Sequence, residues 1–121
     1  MKESDIMRDV QLAASEMGGR LFRNNVGVFK TIDGRVIRGG LAPGSSDLIG
    51  FTPALLGDCI VAVFTAVEVK SKTGKPTKDQ KRFINAVNKA GGIAGIVRSR
   101  HDYEFLIETS LQNIGLLSIN S

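Results

Sequence analysis

Asp47 and the pair Glu68 and Lys70 are the residues of this chain best suited to chemistry. Asp47 lies in Gly44-Ser45-Ser46-Asp47-Leu48-Ile49-Gly50, and Glu68-Val69-Lys70 closes the apolar run that begins at Cys59. On a strand, residues i and i+2 project from the same face, so Glu68 and Lys70 stand side by side at the end of a hydrophobic strand. Charges placed there are costly unless a metal ion, a partner charge or a substrate compensates them. With Asp47 brought alongside, Asp47, Glu68 and the backbone carbonyl of Val69 offer hard oxygen ligands suited to Mg²⁺ or Mn²⁺. Such an ion polarises a phosphoryl oxygen and lowers the pKa of a bound water. Lys70 can orient or deprotonate that water, or neutralise charge developing on the phosphate. These groups together suit phosphodiester hydrolysis.

Several elements must form to bring them together. Ile6, Val10, Ala13, Ala14 and Met17 recur at helical spacing and predict a helix over residues 4–17, stopped by Gly18-Gly19. A short strand follows at residues 20–25, and residues 26–38 read as a hairpin turning at Asp33-Gly34. Residues 47–51 form a short strand, residues 52–58 a turn, and residues 59–70 the best strand of the chain. Thr77-Lys78-Asp79-Gln80 matches a capping box opening a helix to Ala90, with Phe83, Ile84 and Val87 on its apolar face. A buried strand at residues 93–98 and a helix capped by Ser99 complete the pattern. The tail after Gly115 reads as a frayed helix end or an edge strand. The strand–helix–strand unit over residues 59–98 is expected to be parallel and right-handed. The fold class is α/β: one mixed sheet flanked by helices, in the order α-β-β-β-α-β-α, forming a single domain over residues 1–121.

The chain has 121 residues and 42% hydrophobic composition, enough for one core. Its net charge of +4 favours an anionic partner. The single cysteine, Cys59, excludes an intrachain disulfide and a Cys-rich zinc site; its place in an apolar run predicts a buried small hydrophobe. One histidine, His101, excludes a histidine metal site and reads as a solvated residue at a helix start. No apolar stretch reaches spanning length and no signal peptide is evident, so a soluble, cytoplasmic protein without membrane association is expected.

The ordered set of motifs resembles the VRR-NUC family of the PD-(D/E)XK nuclease superfamily, in its stand-alone phage and bacterial form. The resemblance covers roughly residues 3–102: Glu3, Arg23-Asn24-Asn25-Val26-Gly27, Gly44 to Gly50, Glu68-Val69-Lys70, Gly74-Lys75 with Gln80, then Ile96-Val97-Arg98-Ser99. Two positions depart from the pattern. Ser46 stands where the superfamily usually has Pro, and Ser99 replaces the second Arg of the name-giving stretch. The resemblance implies a restriction-endonuclease-like fold and a Mg²⁺- or Mn²⁺-dependent endonuclease acting through Asp47, Glu68 and Lys70. Gln80 would hold the water or the ion's surroundings, and Glu3 would support a second metal. It further implies DNA as substrate, branched structures such as Holliday junctions among its forms, and a homodimer in a bacterial or phage-infected cell. A replication or recombination protein is a possible partner. Rival readings are an archaeal-type junction resolvase and a non-catalytic DNA-binding or assembly module.

Basic residues are placed to meet a nucleic-acid backbone. Lys72, Lys75 and Lys78 lie between the catalytic strand and the second helix, Arg35 and Arg38 flank the Gly-rich approach to Asp47, and Arg23 and Asn24 end the first strand. Phosphate contacts of this kind are salt-sensitive and largely independent of sequence. A solvated helix face accounts for such lysines equally well, and Gln80 fits the third position of a capping box without any further role.

Overall fold

The computed structural model describes residues 1–119. Helix α1 spans Glu3–Glu16; strands β1 (Arg20–Arg23), β2 (Gly27–Lys30), β3 (Val36–Gly39), β4 (Leu48–Leu56) and β5 (Cys59–Val69) follow. Helix α2 (Lys78–Lys89), strand β6 (Ile93–Val97), helix α3 (Arg100–Ile114) and strand β7 (Leu117–Ser118) complete the chain. The main sheet runs β1-β4-β5-β6, with β7 added on β4. Strands β1, β4 and β5 are antiparallel neighbours, whereas β5 and β6 are parallel across the α2 crossover. The hairpin β2–β3 forms its own two-stranded sheet. Leaving that hairpin and β7 aside, the main sheet and its helices follow the expected order α-β-β-β-α-β-α.

Each face of the sheet is covered by helices with an apolar side. Ile6, Val10, Ala13 and Ala14 of α1 and Tyr103, Ile107 and Leu111 of α3 pack with Leu48, Val67, Val69, Ile93 and Val97 into the larger core. On the opposite face, Phe83, Ile84 and Val87 of α2 meet Ile49, Ala66 and Ala94. Tyr103 is buried and its hydroxyl is pushed up to about 12 by loss of solvent, with Thr52 beside it opposing the shift. Helix α2 starts as its sequence predicts: Thr77 Oγ1 accepts from the Gln80 N–H, and the Gln80 side chain accepts from the Thr77 N–H.

Two local expectations fail for identifiable reasons. Residues 52–56 continue β4 instead of turning, because Pro53 falls between the stretches paired with β1 and with β7, where no ladder bond is lost. Cys59 is exposed, not buried. It opens β5 at the tip of the long β4–β5 hairpin, beyond the reach of the helices, and burial on both faces begins only at Thr65. The tail resolves as an edge strand, with Leu117 and Ser118 paired to Leu55 and Ala54.

Candidate active site

Register brings the two carboxylates together. Leu48 pairs with Val67, so Asp47, one residue before β4, comes opposite Glu68 on the sheet face that α2 covers. Asp47 Oδ2 accepts the Val69 N–H at 3.0 Å, which ties the residue across the strand end. Glu68 is only 2% exposed, and Asp47 is its neighbour across the β4–β5 register. Burial first, and the neighbouring Asp47 second, push Glu68 up to about 8, with Lys70 pulling in the other direction. Lys70 Nζ lies 3.6 Å from Glu68 Oε2, and Gln80 Nε2 donates to the same oxygen at 3.2 Å. Gln80 therefore serves both the helix cap and the carboxylate, through its two different side-chain atoms.

Glu68 Oε1 is buried without a hydrogen-bond partner, as is the hydroxyl of Ser46. An orphaned carboxylate oxygen beside a second carboxyl fits a hard cation, which would supply the missing partner. Among the described residues no three acidic, histidine or cysteine side chains are grouped closely enough to hold a metal ion. A cation here would complete its shell with a backbone carbonyl, water and substrate oxygens, the usual habit of Mg²⁺. Glu3 stands apart from the pair: its Oε2 accepts the Ser71 N–H at 3.1 Å. That places it at the exit of β5, bracing backbone.

The loop ahead of Asp47 is held by a residue expected to touch DNA. Asn24 donates through its amide to Ser45 Oγ and to the Ser46 carbonyl, both at 2.8 Å, and accepts the Leu41 N–H at 2.9 Å. Its own N–H reaches the Asp47 carbonyl at 2.7 Å. Its amide is thus engaged in shaping the loop and is not free for a phosphate. Gly44, at a φ of +86°, lets this loop rest on α2; a Cβ there would come within 2.6 Å of the Asp79 Cβ.

The other basic candidates divide by location. Arg23 is exposed and borders a cleft of about 590 Å³ that Asp47 and Gln80 also line. Lys72, Lys75 and Lys78 are exposed along the turn after Lys70 and the first turn of α2. Arg35 is paired with Asp33 at 3.0 Å in the turn of the hairpin. Arg38 is exposed on β3, paired with Val28, and is not among the residues that line the cleft. His101 is exposed, as expected of a helix start.

Arg98 has a role that residue type alone did not reveal. Its guanidinium donates to the carbonyls of Ser71 and of Gly74, the latter at 2.7 Å, and so clamps the turn that follows Lys70. The Gly74 N–H closes that turn onto the Ser71 carbonyl at 3.2 Å. Asp102 accepts the Arg98 N–H at 2.9 Å and steadies the base of the clamp. The available signal was position: Arg98 ends the strand parallel to β5, where Lys70 N–H meets the Val97 carbonyl at 3.1 Å.

No curated protein matches the chain. A solved structure described as a VRR-NUC domain is similar, at 23% identity and a TM-score of 0.57, over 88% of this chain and 94% of that one. The model of the VRR-NUC domain family matches residues 30–101, from the end of β2 to the start of α3 and including Asp47, Glu68, Lys70, Gln80 and Arg98. With more than half of its length matched, the chain belongs to the VRR-NUC family, a nuclease-type domain of the PD-(D/E)XK superfamily.

Proposed function

We propose that the protein is a metal-dependent endonuclease that hydrolyses DNA phosphodiester bonds at the Asp47–Glu68–Lys70 site, with branched DNA such as a Holliday junction preferred. The observation that carries this reading is the Asp47–Glu68 carboxyl pair, in which Glu68 is buried with Lys70 beside it and one oxygen unpartnered. Asp47, Glu68 and the Val69 carbonyl would hold Mg²⁺ or Mn²⁺, whose charge supplies Lewis acidity toward the phosphate when bound. Glu68 keeps its unpartnered, buried oxygen in a fixed position, because Gln80 and Lys70 both hold its other oxygen. Lys70 orients the attacking water and offsets negative charge as it grows on the phosphate. The exposed Lys72, Lys75 and Lys78 take phosphates along the strand. Two symmetric cuts in a four-way junction call for two such sites about a two-fold axis, which a homodimer provides. A replication or recombination protein as a further partner belongs to the same reading.

A cleavage assay on branched and linear duplexes with Mg²⁺ or Mn²⁺, set against chelator, tests it. Wild-type protein cuts the branched substrate faster, and Glu68→Gln and Lys70→Ala each lose roughly 10²-fold or more, the scale of removing one group that stabilises transition-state charge. Equal cutting by wild type and both variants would sink the reading.

A further inference from the structure

We infer that the cleft beside Asp47 takes an unstacked nucleobase against the ring of Phe29, and that this contact favours branched over continuous DNA. The inference rests on the nuclease reading above and adds to it a binding site for one part of the substrate. The cleft is uneven in chemistry. Its lining joins the polar Asp47 and Gln80 and the exposed Arg23 to the apolar Met7, Val26 and Phe29. Its volume of about 590 Å³ lies in the range of small-molecule sites.

Phe29 is held open to this cleft by its neighbours. It lies on β2 and is 49% exposed, a large fraction for a phenylalanine that lines a cleft. Gly27 and Gly39 pair across the hairpin, and the Phe29 ring lies over both. A Cβ on Gly39 would come within 2.7 Å of the ring, and one on Gly27 within 3.2 Å. The two glycines therefore leave space for the ring to settle on the hairpin, with its remaining surface toward the cleft.

A continuous duplex offers this ring little. Its bases are paired and stacked inside, so a side cleft meets phosphates, sugars and base edges but no base face. Branch points and strand ends expose unstacked bases, each with a π face that an aromatic ring can cover. The exposed Arg23 guanidinium suits the phosphate of the same nucleotide. A base seated on Phe29 would bring the adjoining backbone toward Asp47 and Glu68. The competing account is that Phe29 only covers the glycine pair and stabilises the hairpin.

Binding in metal-free buffer separates the two, because it does not require cleavage. Full-length Phe29→Leu is expected to lose roughly tenfold in affinity for branched DNA, the scale of one base–aromatic stack, while its affinity for linear duplex stays that of wild type. Phe29→Tyr keeps the branched preference. Scanning an abasic site through the branch adds a check that needs no protein variant to fold. One position weakens wild-type binding about as much as Phe29→Leu does, and costs Phe29→Leu nothing further. Equal losses on branched and linear DNA, or identical abasic profiles for both proteins, would overturn the inference while leaving the nuclease reading standing. Wild-type protein that neither binds nor cuts any DNA would remove both.

Discussion

Between its ordinary value of 4.5 and about 8, folded Glu68 keeps a proton that the unfolded chain has already released. The folded state then binds more protons than the unfolded one, so stability falls as pH rises through that window. Metal-free protein should melt at progressively lower temperature between pH 5 and about 8, and Glu68→Gln should flatten this part of the profile. Under the proposed function, Asp47 and Glu68 would hold Mn²⁺ best with Glu68 ionised, so binding would compete with that proton. The melting temperature should therefore gain more from Mn²⁺ at pH 8 than at pH 5. Thermal melts across pH, with and without Mn²⁺, check both statements, and an unchanged slope in Glu68→Gln counts against the first. At this scale the side-by-side placing of Glu68 and Lys70 was legible in the sequence, because i, i+2 spacing on a strand forces both onto one face. Asn24 was not: a polar residue after a strand looks the same whether its amide faces a phosphate or the loop at Ser45 and Ser46.

The turn at residues 71–74 is the element whose setting matters most beyond the carboxyls. Glu3 from α1 holds the Ser71 N–H, and Arg98 from the end of β6 holds the Ser71 and Gly74 carbonyls. Lys70 precedes this turn, and Lys72 and Lys75 lie within or just after it. Misplacing a positioned group by about 1 Å costs roughly a hundredfold in rate. Arg98→Ala is therefore expected to lower kcat by roughly ten- to a hundredfold, with KM for DNA changed far less. Arg98→Lys should recover only part of the loss, since an ammonium lacks the planar fork that spans two carbonyls. Steady-state kinetics on the three proteins test this, and full rescue by lysine would argue against the clamp. The α2 capping box and the β5–α2–β6 crossover could be read in advance because each is set by local pattern. The length of β4 could not, since Pro53 is a turn signal locally and is tolerated only because of which strands flank it.

Over the whole molecule, charge is arranged near the site more than its total suggests. The net charge is +4, yet Lys70, Lys72, Lys75 and Lys78 fall within nine consecutive residues, with Asp79 the nearest acid in sequence. Arg82 is paired to Asp79 at 3.5 Å, leaving the exposed Lys72 and Lys75 as the stronger candidates for phosphate. The double variant Lys72→Ala, Lys75→Ala should weaken DNA binding alike across sequences and reduce the log–log salt slope by roughly one to two units. Titrations at several salt concentrations measure this directly; an unchanged slope places the DNA elsewhere. Among the described residues no helix is long and apolar enough to cross a membrane. The exposed apolar residues of the β2–β3 hairpin, such as Val28, Ile32 and Val36, come from a hairpin that stands outside the main sheet.

By itself the sequence determined which groups could do chemistry, their order along the chain, and the alternation of strands and helices around them. Those properties are local: side-chain period, turn residues and caps act over a few positions and need no knowledge of distant neighbours. Only the tertiary structure decided what those groups touch. The β4–β5 register set Asp47 against Glu68, and burial between α2 and the sheet raised the Glu68 pKa. The parallel pairing of β5 with β6 carried Arg98 to the turn after Lys70, and the α1 start carried Glu3 there. Each of these joins residues far apart in the chain, where register and loss of solvent, not spacing, set the geometry.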